Sequence, residues 1–378
     1  MKIVHIANFY GPKSGGIKTT LNNLGSEYLK LGHEFIYVVP GKKFGREKTQ
    51  YGSCITMPSW VIPFTGGYRV IRSTYRLKSL LGALAPDKVE VSDRFTLSGI
   101  GIWARRRGIP AIVFSHETLS GLIKNYIGIP LNRFAQWHNS RLASRFDHVV
   151  TTTHFAATEF REIETKNLVQ IPLGVDLATF SPENFNEELR AKLIKGGDVL
   201  LVHCGRLSPE KKPERSIEAL RALLERGVNA RLVYVGTGPL YTKLYKSSRD
   251  IPVSFWGYVA NKDLLAQILA SADISIAPGP LETFCLAALE SLASGTPVVA
   301  SESSAVGEFL RCSDDSFVGI TAANNGEAFA DAIQVLLRQL EKDGTLGERC
   351  HKQALQFPWS QTARRLQELK NVRSREAA

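Results

Sequence analysis

Short apolar runs alternate with segments of helical periodicity along almost the whole chain. The segment Lys18–Leu31 has apolar positions at helical spacing, and Gly32 is expected to end that helix. This alternation is typical of parallel sheets covered by helices and predicts an α/β fold class. The runs that we predict as strands are Lys2–Ala7, Glu34–Val39, Lys88–Val91, Ala111–Ser115, His148–Thr152, Val169–Ile171, Asp198–His203, Arg231–Gly236, Val253–Trp256, Asp273–Ile276 and Pro297–Ala300.

The pattern pauses once, at the polar, Pro-containing stretch Asp176–Phe185, and then restarts. We therefore predict an N-terminal domain over residues 1–178 and a C-terminal domain over residues 179–359, a division that suits 378 residues. A basic amphipathic helix follows the Pro break near the end of the chain, and the segment 360–378 could pack back on the first domain.

Composition narrows the class of protein and its partners. The chain has 47 Lys and Arg against 36 Asp and Glu, a net charge of +11. Such an excess suits nucleic acid, an anionic membrane surface or a phosphorylated small molecule. No basic stripe with stacking aromatics or known nucleic-acid motif occurs, so we expect no nucleic-acid partner.

Targeting and cysteine patterns point to the cytoplasm. The chain has no run of about 18 uncharged apolar residues, and its N-terminal apolar run is too short for a signal peptide. The five cysteines are far apart and form no CxxC pair, which favours reduced thiols over disulfides or a zinc site.

The first candidate loop, Asn8–Ile17, follows the first strand and contains Gly15 and Gly16. Adjacent glycines there let backbone N–H groups approach an anion at the carboxyl end of a strand. The loop is neither GxGxxG nor a P-loop. A tight strand-to-helix turn and a phosphate site are equally consistent with it.

Two further loops also follow strands. Gly205–Pro213 contains Arg206 and Lys211, whose cations could neutralise a diphosphate, whereas Lys212 reads as a solvated surface lysine. Gly236–Pro239 is a common turn that could bring the backbone at Gly238 close to a nucleotide.

The most informative segment is Pro278–Glu290, for which we predict a helix from about Thr283 to Ala293. The N–H groups of Thr283 and Phe284 would then lie at the positive helix end. Glu282 and Glu290 would lie about 12 Å apart on similar faces, a span that suits two hydroxyl-rich parts of one ligand. The alternatives are a first-turn Glu282 that favours the helix dipole and a solvated Glu290.

Together these segments resemble family 4 of the retaining nucleotide-sugar glycosyltransferases, which have the GT-B fold. The resemblance rests on the Gly15-Gly16 loop, Ile171–Asp176, Gly205-Arg206 with Lys211, Gly236–Pro239 and the pair Glu282/Glu290. Ala7–Gly16, Val91–Arg94 and Ser115–Glu117 look closer to bacterial mannosyltransferases acting on phosphatidylinositol mannosides and related glycolipids.

The resemblance implies two facing Rossmann-like domains with parallel sheets and a donor cleft between them. It implies that Gly15 and Gly16 contact the donor, that Arg206 and Lys211 bind its diphosphate, and that Glu282 with the Thr283 and Phe284 amides holds the sugar. Glu290 would hold the ribose, and His116 matches the family's active-site histidine, with a satisfied histidine at a strand end as its alternative. Ser304–Val306 replaces the family's usual Gly-Gly, so no contact is assigned to that loop.

The implied activity is retaining hexosyl transfer, with mannose from GDP-mannose moved to a lipid-linked or glycolipid acceptor. No cofactor or metal is expected, since no DxD-type motif occurs. The alternatives are a UDP-sugar donor with another acceptor, and a nucleotide-sugar epimerase.

The segment Tyr68–Leu81 carries Arg69, Arg72 and Arg76 at helical spacing beside apolar positions. Such a helix could lie on an anionic bilayer, which would place the protein peripherally on the inner face of the plasma membrane. An ordinary surface helix fits this pattern equally well.

Overall fold

The chain divides into two compact units. In the computed structural model, unit 1 comprises Met1–Leu173 with Trp359–Ala378, and unit 2 comprises Gly174–Pro358. The structure describes residues 1–11, 15–62, 67–121, 123, 131–312, 314 and 316–370. Residues 174–178 lie in unit 2 because Val175 donates its N–H to the Phe357 carbonyl and pairs with Pro358.

Unit 1 is built on one mostly parallel sheet. Its described strands run in the order β3-β4-β2-β1-β6-β7-β8-β9, with β3 antiparallel to β4 and β5 antiparallel to the far end of β4. These strands are β1 (Lys2–Ala7), β2 (Glu34–Gly41), β3 (Gly45–Thr49), β4 (Gly52–Val61), β5 (Arg69–Ile71), β6 (Lys88–Ser92), β7 (Ala111–Ser115), β8 (His148–Thr151) and β9 (Leu168–Gln170).

Helices cover this sheet and bury its apolar residues. Side-chain caps start two of them: Ser73 accepts the Arg76 N–H at 3.2 Å, and Thr153 accepts the Ala156 N–H at 3.1 Å. The described helices of unit 1 are α1 (Gly16–Lys30), α2 (Thr74–Leu84), α3 (Ser98–Arg105), α4 (Asn132–Ala143), α5 (His154–Arg161) and, from the end of the chain, α13 (Trp359–Glu368).

The C-terminal helix α13 is fixed to unit 1 by polar as well as apolar contacts. Thr362 Oγ1 donates to the Pro172 carbonyl at 2.9 Å, and the buried Lys88 Nζ donates to the Leu366 and Gln367 carbonyls. The predicted segment 360–378 therefore lies in unit 1 as far as residue 370, and 371–378 fall outside the described residues.

Unit 2 contains a second sheet, all parallel, whose described strands run in the order β12-β11-β10-β13-β14-β15. The strands are β10 (Val199–Cys204), β11 (Ala230–Val235), β12 (Val253–Gly257), β13 (Ile274–Ala277), β14 (Val298–Ser301) and β15 (Gly319–Ala322). The helices are α6 (Glu187–Ile194), α7 (Glu214–Glu225), α8 (Tyr241–Ser247), α9 (Lys262–Ala270), α10 (Leu286–Ala293), α11 (Gly326–Lys342) and α12 (Leu346–Ala354).

The predicted amphipathic helix over Tyr68–Leu81 is wrong. Arg69 lies in strand β5, and α2 starts only at Thr74, after the Ser73 cap. Pairing of β5 with β4 takes the first residues of the segment into a sheet, so Arg69, Arg72 and Arg76 do not share one helix face.

Apolar periodicity also missed strands β3, β4, β5 and β15. Strand β4 is only partly buried, and its partner β3 is mostly exposed. Polar residues are therefore common in both strands, and neither strand contains an apolar run from which it could be predicted. None of the described helices is long and apolar enough to cross a bilayer, and all five cysteines are free thiols.

Candidate active site

Two loops at the carboxyl ends of β10 and β11 pack directly on each other. The Leu207 N–H donates to the Thr237 carbonyl, and the Leu240 N–H donates to the Leu207 carbonyl. A Cβ added to Gly238 would lie 2.3 Å from the Leu207 carbonyl oxygen. Gly238 is thus required for this close approach, which positions the half-buried Arg206.

Lys211 and Glu282 form the central ion pair of unit 2, with Nζ 2.6 Å from Oε1. Lys211 ends the 3₁₀ turn Pro209–Lys211 after β10, and Glu282 lies in the loop after β13. Burial by itself lowers the pKa of Lys211, but the Glu282 charge outweighs it and raises that pKa. The ammonium is therefore a fixed positive charge held in place before any ligand arrives.

A neutral histidine lies beneath this pair. His203, in β10, is buried and its Nδ1 lies 2.9 Å from Ser216 Oγ. Burial and, secondarily, the Lys211 charge lower the pKa of His203 to about 3. The site gains no second cation from it.

The loop Ser304–Val306 holds Glu282 in place. The Ala305 N–H donates to the Glu282 carbonyl at 2.8 Å. Ser304 Oγ in turn donates to the Ser301 carbonyl and caps the 3₁₀ turn Ala305–Phe309. The sequence assigned no contact to this loop, and its structural contribution is to fix the backbone at Glu282.

The helix after Glu282 starts later than predicted, which corrects the estimated spacing of the two carboxylates. Cys285 has a φ of 68° and caps α10, which begins at Leu286. Glu282, Thr283 and Phe284 therefore precede the helix, and the helical estimate of 12 Å between Glu282 and Glu290 does not apply. Thr283 and Phe284 are buried, and the Phe284 ring packs against Phe309.

Glu290 belongs to a second charged group that the sequence did not reveal. It interacts electrostatically with Lys262 and Asp176, and those two form an ion pair at 3.1 Å. Burial raises the pKa of Glu290 to about 7, with Lys262 opposing the shift and Asp176 adding to it. Asp176 ends the segment Ile171–Asp176, whereas no signal marked Lys262.

In unit 1, His116 belongs to a hydrogen-bonded chain of buried side chains. Its Nε2 lies 2.8 Å from Ser92 Oγ, which lies 2.8 Å from His5 Nε2. His5 Nδ1 lies 2.9 Å from Glu90 Oε2, and Tyr28 donates to the other Glu90 oxygen at 2.7 Å. Burial, with the nearby His5, lowers the pKa of His116 to about 4. Of the four residues that extend this chain inward, only Ser92 lies in a segment on which the resemblance rests, Val91–Arg94.

Gly15 and Gly16 lie at the start of α1, with Gly15 as its N-cap residue. A Cβ added to either glycine would meet no atom within 4 Å, so packing among the described residues does not explain them. The rest of the candidate loop, residues 12–14, falls outside the described part of the chain.

Two of the three predicted membrane arginines, Arg72 and Arg76, are exposed together with aromatic residues. The Arg72 guanidinium lies 5.8 Å from the centre of the Trp60 ring, which is 61% exposed. Tyr75 is 82% exposed and Arg76 is also exposed. Arg69, by contrast, is half-buried and its guanidinium contacts Ser59. We call Trp60, Arg72, Tyr75 and Arg76 the aromatic–basic patch.

Over the described ranges, no cluster of three or more His, Cys, Asp or Glu side chains has the arrangement of a metal site.

Family models match both units of the chain. The model described as Glycosyltransferase Family 4 matches residues 14–179, and the model described as Glycosyl transferases group 1 matches residues 198–339.

Curated relatives include one that aligns almost end to end. A GDP-mannose-dependent alpha-(1-6)-phosphatidylinositol dimannoside mannosyltransferase of Mycobacterium tuberculosis is 43% identical over 96% of this chain and 94% of its own length. A GDP-mannose-dependent alpha-mannosyltransferase of the same species is 29% identical over 80% of this chain and 79% of its own. An alpha-monoglucosyldiacylglycerol synthase of Streptococcus pneumoniae is 30% identical over 79% of this chain and 71% of its own.

Solved structures give the fold independently. Sucrose-phosphate synthase from Thermosynechococcus elongatus matches with a TM-score of 0.77 at 20% identity, over 100% of this chain and 99% of that one. The Anabaena protein HepE, in complex with UDP and glucose, matches with a TM-score of 0.74 at 17% identity, over 97% and 98%. The α/β fold class predicted from the sequence is confirmed.

Proposed function

Because this chain belongs to family 4 of the glycosyltransferases, we propose that it transfers mannose from GDP-mannose to a phosphatidylinositol mannoside, with retention of anomeric configuration. The observation that carries the proposal is the 43% identity, over nearly the full length of both chains, to a mycobacterial mannosyltransferase of that specificity. The family membership predicted from the motifs is thereby confirmed, and the enzyme is a glycosyltransferase.

The charges of unit 2 suit the leaving group of such a transfer. Cleavage of the anomeric C–O bond develops negative charge on the departing diphosphate. We assign its stabilisation to Arg206 and Lys211, because preorganised cations lower a barrier without reorganising during the reaction. The ion pair with Glu282 holds the Lys211 ammonium ready for that charge.

The two glutamates would bind the hydroxyl-bearing ends of the donor. Glu282 pairs with Lys211 of the assigned diphosphate site and would accept hydrogen bonds from sugar hydroxyls, beside the Thr283 and Phe284 amides. Among the described residues, Ser294 donates to the backbone carbonyl of Glu290 and none donates to its carboxylate, so the carboxylate is available to the ribose hydroxyls. Gly15, Gly16 and His116 are the residues of unit 1 that we propose for the donor.

Transfer is tested with purified enzyme, GDP-[¹⁴C]mannose and phosphatidylinositol dimannoside, followed by lipid extraction and analysis of the anomeric linkage. The wild type is expected to give an α-linked product. Lys211→Met is expected to lower kcat by about 10²–10³-fold, the usual cost of removing one preorganised group of this kind. The matched control is Lys212→Met. Among the described residues, the Lys212 ammonium has one ion pair, a 3.9 Å contact with Glu214, and its loss should leave kcat within about twofold.

A wild-type kcat in Lys211→Met would contradict the role of this lysine in stabilising the departing diphosphate. Absence of mannosyl lipid with the wild type would contradict the proposed activity itself. A parallel reaction with UDP-glucose and diacylglycerol tests the second candidate, a glucosyltransferase, which is favoured by the 30% identity to the pneumococcal synthase. Sugar conversion without acceptor would instead indicate an epimerase.

We also propose that the aromatic–basic patch binds an anionic bilayer, where a glycolipid acceptor resides. Trp and Tyr favour the membrane interface, and each exposed Arg near an anionic surface contributes about 1 kcal/mol. The patch contains both residue types: Arg72 lies over the exposed Trp60 ring, and the exposed Tyr75 and Arg76 follow in the first turn of α2.

Flotation with phosphatidylglycerol vesicles, and with phosphatidylcholine vesicles for comparison, tests the patch. The double variant Arg72→Ala/Arg76→Ala is expected to lose about thirtyfold in partition to anionic vesicles, since two contributions of about 1 kcal/mol are removed. Arg338→Ala/Lys342→Ala removes two exposed charges from α11 in unit 2 and should bind like the wild type. An equal loss of vesicle binding in both double variants would show that net charge, and not the aromatic–basic patch, determines binding.

A further inference from the structure

The hydrogen-bonded chain behind His116 runs from the interior of the unit 1 sheet to its carboxyl edge. His5 and Glu90 are register partners on the adjacent strands β1 and β6. Ser92 ends β6, and His116 follows β7, the next strand of the sheet. His5, Glu90 and Ser92 are buried, so water does not compete for these bonds.

The serine fixes the direction of the hydrogen bonds around it. Ser92 Oγ carries one hydrogen and lies 2.8 Å from a ring nitrogen on each side. It must therefore donate to one imidazole and accept from the other. The protonation of His5 decides which, and so decides which nitrogen of His116 carries its proton.

Glu90 fixes the proton of His5. As a carboxylate it only accepts, and it receives Tyr28 O–H and His5 Nδ1–H. Burial raises the pKa of Glu90, but the hydrogen bonds from His5 and Tyr28 and the charge of Lys88 outweigh it and lower that pKa overall, which keeps the carboxylate ionised.

The counter-charge for Glu90 comes from Lys88, two residues away on the same face of β6. A cationic His5 would then leave an excess positive charge in the core, which is costly to bury. His5 is neutral on this argument, with its proton on Nδ1 and its Nε2 accepting from Ser92 O–H.

We propose that Glu90, His5 and Ser92 are positioning residues that hold His116 in its Nε2–H tautomer. His116 donates from Nε2 to Ser92 Oγ, which leaves Nδ1 as the acceptor nitrogen of the ring. The inference rests on the proposed function and deepens it, since in this tautomer any hydrogen bond between His116 Nδ1 and the donor sugar or acceptor is one that the histidine accepts. The tautomer itself can be measured without any substrate.

The experiment is ¹⁵N NMR of the full chain labelled at its eight histidines, with the His116 signals assigned by their loss in His116→Gln. Long-range ¹H–¹⁵N correlations distinguish the two tautomers of an imidazole. The wild type is expected to show one Nε2–H tautomer at pH 7. Ser92→Ala and Glu90→Gln are expected to show an added Nδ1–H population, because each interrupts the chain at a different link.

Two serine variants serve as controls, because they distinguish a specific effect of the Ser92 hydroxyl on the His116 tautomer from a general disturbance of the structure around His116. Ser92→Thr keeps the hydroxyl and should keep the wild-type tautomer. Ser115→Ala removes a buried hydroxyl next to His116 that instead donates to the Glu117 carbonyl, and it should also leave the tautomer unchanged. An Nδ1–H tautomer in the wild type, or unchanged tautomers in Ser92→Ala and Glu90→Gln, would overturn the inference. Failure of mannosyl transfer would leave this test intact.

Discussion

At the scale of single residues, identical side chains acquire different properties from their backbone position. Lys211 and Lys212 are adjacent, yet Lys211 ends a 3₁₀ turn and pairs with Glu282, while Lys212 has a φ of 48° and makes only a distant contact with Glu214. In the sequence, the two lysines are distinguished by position relative to Arg206 and by the resemblance to a family motif, which assign only Lys211 to the diphosphate. The structure gives the physical difference, which is a preorganised partner for one ammonium alone.

Glu290 supports a prediction about pH. Its pKa of about 7 means that about one tenth of the carboxylate is ionised at pH 6 and about nine tenths at pH 8. If ribose hydroxyls donate to the ionised form, the affinity for GDP-mannose should rise about tenfold from pH 6 to pH 8. Isothermal titration calorimetry measures this, since the sugar-substituted diphosphate does not titrate in that range.

Glu290→Gln is the control for that pH dependence. It keeps the shape of the side chain and removes the titrating proton, so its affinity should be nearly flat across the same range. A tenfold rise that persists in Glu290→Gln would assign the titration to another group.

At the scale of elements, two of the wrong predictions came from helical spacing that the backbone does not follow. Cys285 adopts a left-handed conformation and delays α10 to Leu286, which removes Glu282 from the helix. Pairing with β4 draws Arg69 into strand β5, and Ser73 caps α2 four residues later. A spacing of three or four is compatible with a helix but does not require one, since strand pairing and caps decide where a helix starts.

At the scale of the whole molecule, the chain returns to its first unit at its end. Helix α13 completes unit 1, although more than 180 residues of unit 2 separate it from β9. The burial of Lys88 against the last carbonyls of this helix is one reason, because a cation there satisfies groups that a helix end leaves unpaired.

Lys88→Met tests that contact. Burial lowers the pKa of Lys88, with Glu90 opposing the shift, and loss of its ammonium should leave the two carbonyls without this donor. The expected cost is about 1–3 kcal/mol in the free energy that holds α13 on unit 1. Hydrogen exchange over residues 359–368 measures it, as exchange that is faster by about 5- to 150-fold.

Lys30→Met serves as the comparison, since Lys30 is 71% exposed and pairs only with Glu27 on its own helix. It should leave exchange in α13 unchanged. Equal exchange in the wild type and Lys88→Met would show that apolar packing alone retains the helix.

Sequence alone determined the α/β class and the family, because both depend on local signals. Apolar residues that recur every two positions predict strands, and those that recur about every 3.6 positions predict helices. The motifs from Gly205 to Glu290 lie within short contiguous segments. Those signals also located Arg206, Lys211 and Glu282 in loops that follow strands of one sheet, and Glu290 in the helix after the last of these loops.

Only the tertiary structure decided which of these groups meet. Lys211 reaches Glu282 across 71 positions, Lys262 reaches Asp176 across 86, and His5 reaches Glu90 across 85. Each contact depends on which strands or loops are neighbours, and the order β1-β6-β7 follows from the packing of the whole sheet. No local pattern carries that order, so the hydrogen-bonded chain behind His116 becomes visible only in the folded unit.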